Sequence, residues 1–308
     1  MLRLGTTRES CCPVIMRISY RLYRKTKAFI IDHKPWGLTW LFYSALPVAE
    51  RWLSGRRATE TDRARNYLFR QLYFSHYSRQ NPPFSLQTEH PLAVDSDDHR
   101  WPHGALYDNS SNQLFNQKLY DLVNYKADLK VLDLGCSGGA FVRSLLEDGY
   151  TAIGLEGSDI SRKLQGGEWG NIPLHLFTAD ATKPFHFLNA SAEKMQFDVV
   201  TAWEVLEHIP KSTLPNLIAN IRDNLASKGY FIASIPTFPD ANPLTNAVYH
   251  VTLEAREWWL EQFAAHGLIE VTKHHFETRD WVRGHGIGLT NWSTEEGDGF
   301  HLVLQKSS

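Results

Sequence analysis

"VLDLGCSGGAF", residues 131–141, decides how the chain is read. Apolar residues and one aspartate run straight into a turn with glycines at 135, 138 and 139, and a helical pattern follows. A glycine-rich turn between a first strand and a helix lets a ligand approach the backbone and meet the helix N-terminus. The spacing is D-x-G-x-S-G-G, not G-x-G-x-x-G, so a dinucleotide pyrophosphate is not its natural guest. The acid that opens the turn, Asp133, suits a positively charged amino-acid tail rather than phosphates.

The same rhythm continues downstream. "LKVLDLG" (129–135), "TAIGLEG" (151–157), "IPLHLFTAD" (172–180), "FDVVTAWE" (197–204) and "GYFIASIP" (229–236) read as strands, and "LIEVTKHHFE" (268–277) and "FHLVLQK" (300–306) as two final ones. Residues 138–149, 213–229 and 252–267 read as helices between them. Strands alternating with helices predict βαβ units and a mostly parallel sheet. Glu156, ending the second strand, can accept hydrogen bonds from both hydroxyls of a ribose, and Asp180, ending the third, from an exocyclic amine. These strand ends suit an adenosine lying across the carboxyl edge of the sheet.

Four stretches in order carry a resemblance: "VLDLGCSGG", "AIGLEGSD", "LFTADATKPF" and "FDVVTAWEVLEHIP". Over roughly residues 110 to 308 the chain resembles the class I S-adenosylmethionine-dependent methyltransferases, with a type 11-like methyltransferase domain. The resemblance implies an α/β, Rossmann-like sheet of seven strands, mostly parallel with an antiparallel last strand. It implies a methyltransferase domain over 111–308, after a mainly helical extension over 1–110 that ends in a linker or lid. By resemblance Asp133, Gly135 and Gly139 contact the methionine part of S-adenosylmethionine, Glu156 its ribose, and Asp180 with Ala181 its adenine. Trp203 packs near the cofactor. Ser137 stands in the cofactor turn where the family usually has its middle glycine, with Gly138 beside it, and is small enough for binding to survive.

"WEVLEHIP" (203–210) places Glu204, Glu207 and His208 at i, i+3 and i+4, where they converge on the first turn of a helix. His250 follows the fifth strand in a loop that, in this fold, faces the same site. The set E-x-x-E-H … H resembles the divalent-metal site of the small-RNA terminal 2′-O-methyltransferases and, in part, the ubiquinone-pathway O-methyltransferases. Two readings stay open. Glu204, Glu207, His208 and His250 hold Mg²⁺ or Mn²⁺, or His208 or His250 acts as general base, since a neutral imidazole works near pH 7.

The first expectation for the acceptor is a sugar hydroxyl of a glycan or glycolipid, methylated on oxygen. A quinone-type phenol of isoprenoid origin and an RNA terminus are the alternatives, and a non-catalytic cofactor-binding partner subunit is the alternative of another class. Trp101, His103, Trp281, His285 and Trp292 would suit a sugar face or flat ring, or pack loops. The net charge of −2 divides unevenly. Residues 1–57 hold eleven Lys and Arg against Glu9, Asp32 and Glu50, so they carry +8 and the remainder −10. That head suits an anionic membrane surface, while the acidic body argues against nucleic acid. Residues 14–30 fit an amphipathic helix that docks on the body or lies in a membrane interface. Cys11, Cys12 and Cys136 form no disulfide framework, and "MLRLGTTRESCC" holds no secretory apolar core. A cytoplasmic location, peripheral to the inner membrane face, is therefore expected.

Overall fold

A computed structural model describes residues 58–77, 83–96, 108–241, 247–283 and 298–307. The basic head with Cys11 and Cys12, and Trp101, His103, His285 and Trp292, lie outside the described residues. The chain divides into two compact units, Met1–Leu72 and Tyr73–Ser308. Of the first unit the described part is helix α1 (Ala58–Tyr77), whose final residues begin the second. No helix among the described residues is long and apolar enough to cross a membrane.

The second unit is built on a seven-stranded sheet. Its strands are β2 (Lys130–Leu134), β3 (Thr151–Glu156), β4 (Leu176–Thr178), β6 (Phe197–Trp203), β7 (Leu225–Pro236), β8 (Leu268–Glu270) and β9 (Gly299–Lys306), in the spatial order β4-β3-β2-β6-β7-β9-β8. The first five pair in parallel, while β9 runs antiparallel between β7 and β8. This is the Rossmann-like sheet that the resemblance implies. Helices α2 (Gln113–Leu122), α3 (Ala140–Glu147), α4 (Ile160–Leu164), α5 (Leu214–Asn224) and α6 (Arg256–Ala265) alternate with the strands. The central strands are buried along nearly their whole length, and β6 exposes even partly only Asp198. Such runs are apolar on both faces because each face is covered. Leu132, Leu134, Phe197, Val200 and Phe231 pack with Leu217, Ile221, Trp259 and Phe263 in one cluster. Phe115 of α2 and Phe141 of α3 meet ring to ring elsewhere in the fold. Each fully buried ring of this kind contributes about 1.5–3 kcal/mol.

Four elements differ from the sequence expectation, each for a local reason. β4 starts only at Leu176, because Pro173 has no N–H and the Leu174 N–H goes to the Tyr73 hydroxyl. Helix α5 stops at Asn224, because Leu225 is extended and pairs with Phe197, so β7 begins early. β8 stops at Glu270, since residues 271–275 have no apolar alternation to bury. β1 (Phe84–Gln87), inside the expected extension, pairs antiparallel with β5 (His186–Asn189), and both are only four residues long.

From β2 the chain moves to β3 on one side, and β6 then takes the other. The carboxyl ends of β2 and β6 therefore flank a topological switch point, where ligands of open α/β sheets bind. Asp133 of β2 lies opposite Thr201 of β6 there. Gly135 leaves β2 at φ 67°, and a methyl group on it would sit 2.3 Å from Val205 Cγ2. Gly149 has φ 89° but open space around it. We expect Gly135→Ala to lower stability by about 2–4 kcal/mol, combining backbone strain with overpacking, against about 1 kcal/mol for Gly149→Ala. Urea unfolding of both variants checks this, and equal losses would contradict it.

Candidate functional site

The turn after β2 is closed on itself by hydrogen bonds. Ser137 takes the left-handed conformation, φ 48°, where a glycine is easier to place. Its N–H donates to Glu156 Oε2 at 2.8 Å, and its hydroxyl to the Asp108 carbonyl at 2.9 Å. The Gly138 N–H donates to the same carbonyl at 3.0 Å. The two carbonyls of the turn are equally tied. Trp169 Nε1–H donates to Ser137 O at 2.8 Å, and the Glu168 N–H to Gly138 O at 2.7 Å. Glu168 is anchored in turn by Arg143 Nη1 at 2.8 Å and Asn109 Nδ2 at 3.2 Å. Gly139 then caps α3 at φ 86° against Leu176.

Around this turn stand the expected cofactor residues. Asp133 is 2% exposed, and its Oδ1 accepts from Thr201 Oγ1 at 2.6 Å. Burial pushes its carboxyl up to about 8, with the Thr201 hydroxyl opposing and the charges of Asp108 and Glu156 adding to the rise. Glu156 also accepts from the Ser158 N–H, at 3.3 Å. Asp180 Oδ1 accepts from the Thr182 N–H and hydroxyl at 2.8 and 2.7 Å, which fixes the turn after β4. The Ala181 carbonyl accepts from Asn220 Nδ2, so this residue faces α5 with its polar backbone oxygen. Trp203 is buried edge-on to Phe115 and Phe141, and its indole N–H has no hydrogen-bond partner among the described residues. Trp281, offered above for a sugar face, is buried and stacked on His301 with ring centroids 4.2 Å apart.

The E-x-x-E-H … H set comes together only in part. Glu207, His208 and His250 bring one ligand atom each within 4.8 Å of one another. Glu207 is fully buried, with Oε1 3.5 Å from His208 Nε2 and 4.0 Å from His250 Nε2. His250 Nδ1 lies 2.6 Å from the Phe238 carbonyl. A carbonyl can only accept, so Nδ1 carries a proton, and Nε2 is the ring nitrogen turned toward Glu207. The Glu207 carbonyl accepts the N–H groups of Val251 and Thr252 at 2.8 and 3.0 Å, hanging the His250 segment from the loop after β6.

Glu204 is not in the group. The expectation of a shared helical face fails because only Leu206–His208 form a turn, a 3₁₀ one, and Glu204 precedes it at φ 55°. Its Oε2 accepts from Arg283 Nη2 at 2.7 Å, and Arg283 Nη1 also pairs with Asp108. Burial raises the Glu204 carboxyl, against the lowering effect of Arg283. The sequence assigns no role to Asp108, Arg143, Glu168, Trp169 or Arg283. Only "GGEWG" (166–170), a second glycine-rich stretch, could have signalled any of them.

The family model described as "Methyltransferase domain" matches residues 107–286, more than half of the chain. A ubiquinone biosynthesis O-methyltransferase of Aromatoleum aromaticum is 33% identical over 141 residues, covering 42% of this chain and 52% of that protein. One of Azoarcus sp. is 39% identical over 90 residues, 27% of this chain and 35% of that protein. The chain thus spans about a third to a half of the length of these curated relatives. The crystal structure of a TehB-like SAM-dependent methyltransferase from Corynebacterium glutamicum aligns at TM-score 0.44 and 16% identity, over 68% of this chain and 95% of that one.

The Asp133 shift has a consequence for stability. With its ordinary value near 3.8 and its folded value near 8, the folded protein holds more protons than the unfolded one between these limits. Stability in the absence of ligand therefore falls as pH rises from about 4 to 8 through this group. Thermal melts across that window should show a decline in the wild type that is flattened in Asp133→Asn. Parallel slopes in the two proteins would refute it.

Proposed function

Because the chain belongs to the methyltransferase-domain family, we propose that it is an S-adenosylmethionine-dependent O-methyltransferase. The observation that carries this reading is a glycine turn after β2 that packs on Val205, in the segment that carries Glu207 and His208 of a Glu–His–His group. The chain's residues fit the cofactor. Asp133 at the start of the turn, Glu156 and Asp180 supply acceptors for an ammonium group, ribose hydroxyls and an amine. Gly135 and Gly139 give the turn its left-handed backbone and let Val205 and Leu176 pack against it, and Trp203 offers a buried indole N–H with no partner among the described residues. When bound, S-adenosylmethionine supplies a methyl group already activated on a sulfonium.

What remains for the protein is to orient a hydroxyl and take its proton. Glu207 lies within reach of both imidazoles. Its negative charge stabilises the imidazolium formed when an Nε2 accepts that proton, while the Phe238 carbonyl orients His250. The same three side chains make a mixed O/N set that fits a divalent cation such as Mg²⁺ or Mn²⁺, with the Phe238 carbonyl fixing the ligating tautomer of His250. A cation there would lower the pKa of the acceptor hydroxyl. A cofactor-binding partner without turnover would have no use for a fully buried carboxylate between two imidazoles.

The acceptor we favour is a phenolic hydroxyl of quinone type, in place of the sugar hydroxyl expected first. Support comes from the relatives named as ubiquinone biosynthesis O-methyltransferases, and from the burial of Trp281, which removes one ring from the set that would meet a sugar.

Glu156→Ala and Asp180→Ala should each weaken S-adenosylhomocysteine binding by about 1–3 kcal/mol in calorimetric titration. Unchanged affinity in both would remove the cofactor assignment. Methyl transfer should be lost after exhaustive chelation, return with Mg²⁺ or Mn²⁺, and fall about 100-fold or more in Glu207→Ala and His250→Ala. Full activity of the chelated wild type ends the cation reading and leaves the histidine base, and full activity of both variants ends the whole constellation.

A further inference from the structure

Arg283 lies 79 residues from Glu204 in sequence, yet its Nη2 bonds the carboxylate that sequence spacing groups with Glu207, His208 and His250. The Glu204 backbone cannot follow a change of partner. Its left-handed conformation is fixed by an N–H that donates to both Ser234 O, at 3.0 Å, and Ser234 Oγ, at 3.2 Å. Its side chain, with three rotatable bonds, can. That carboxylate is 20% exposed, and a carboxylate so far removed from water needs a cationic partner. Arg283 is one. Glu204 also lies three residues before Glu207 and four before His208, directly ahead of the 3₁₀ turn that carries them. Arg283 can release Glu204 without being stranded, because its other nitrogen stays on Asp108.

We infer that Arg283 competes with a divalent cation for Glu204, and so sets the cation affinity of the Glu207–His208–His250 pocket. The inference rests on the cation reading of that pocket given above. Two arrangements follow. In the one seen here, Glu204 is on Arg283 and three side chains face the pocket. In the other, Glu204 swings to the cation as a fourth ligand, and Arg283 keeps Asp108 alone. Because the Asp108 carbonyl carries the Ser137 hydroxyl and the Gly138 N–H, the segment that holds the cofactor turn also anchors the competitor. The planar fork of Arg is required, since it bonds two carboxylates at once and a lysine offers only a point charge.

The test is Mn²⁺ titration of the full chain by calorimetry and electron paramagnetic resonance, with thermal melts as a check of folding. Arg283→Gln should bind Mn²⁺ about tenfold more tightly than wild type, and Arg283→Lys about threefold. Glu204→Gln should stay within about twofold of wild type, and adding it to Arg283→Gln should abolish the gain. If Arg283→Gln does not fold, Arg283→Lys decides with the same signs. Affinity unchanged or weakened in the Arg283 variants, or a gain that survives Glu204→Gln, overturns the inference. Wild-type Mn²⁺ binding that Glu207→Ala removes but Arg283 variants leave alone overturns the competition only. Absence of Mn²⁺ binding in every protein overturns the pocket reading with it, while the S-adenosylhomocysteine titration still stands or falls separately.

Discussion

The close approach of Gly135 and Val205 is the contact on which the site depends. Gly135 turns the chain away from β2, and Val205 lies inside the stretch that carries Glu204, Glu207 and His208. With 2.3 Å between a would-be Cβ and Val205 Cγ2, the Val205 side chain fills the space that a side chain at 135 would need. The switch point between β2 and β6 provides the crevice. The missing side chain at 135 lets Val205 pack onto the turn, so the segment after β6 follows the turn closely. Thr201 and Asp133 repeat the contact one layer deeper, as a buried hydrogen bond across the same pair of strands.

A turn with little side-chain substance must be held by its backbone, and here nearly all of that backbone is assigned. The loop around Gly166 and Gly167 supplies Trp169 and Glu168 to two carbonyls, and Arg143 and Asn109 hold Glu168 in place. Arg143 sits in the first turn of α3 and is itself buried, so the pair is an internal brace rather than a surface ion pair of little worth. Ser137 tolerates its left-handed backbone because its amide, carbonyl and hydroxyl are all engaged, which is how strain at a functional turn is usually balanced.

Much of this was legible in the chain because it depends on local order. The alternation of apolar runs with helical stretches shows the sheet, and the acids at 133, 156 and 180 mark three strand ends. What was hidden depends on residues distant in sequence. Arg283, Asp108 and Glu204 meet across 175 positions, and no spacing rule sees such a triad. The i, i+3, i+4 rule that grouped Glu204 with Glu207 and His208 assumes a helix. The chain instead places one left-handed residue before a three-residue 3₁₀ turn, and the face is lost. Short elements escape for a related reason: β1 and β5, at four residues each, are defined by each other and not by a pattern of their own.

The way the His250 segment is suspended separates two properties that enzymes often trade against each other. Two consecutive amides, of Val251 and Thr252, hang from the Glu207 carbonyl, and the Thr252 hydroxyl is tied to the Ile209 carbonyl at 2.7 Å. The distance between the buried carboxylate and the imidazole is thus set by backbone bonds on one side of His250. Val248, Val251 and Leu253, exposed in the same segment, take no part in those bonds with their side chains. Drift at these three positions can remodel the exposed surface beside His250 while the spacing of Glu207 and His250 is kept, so a lineage can vary that surface without disturbing the pair.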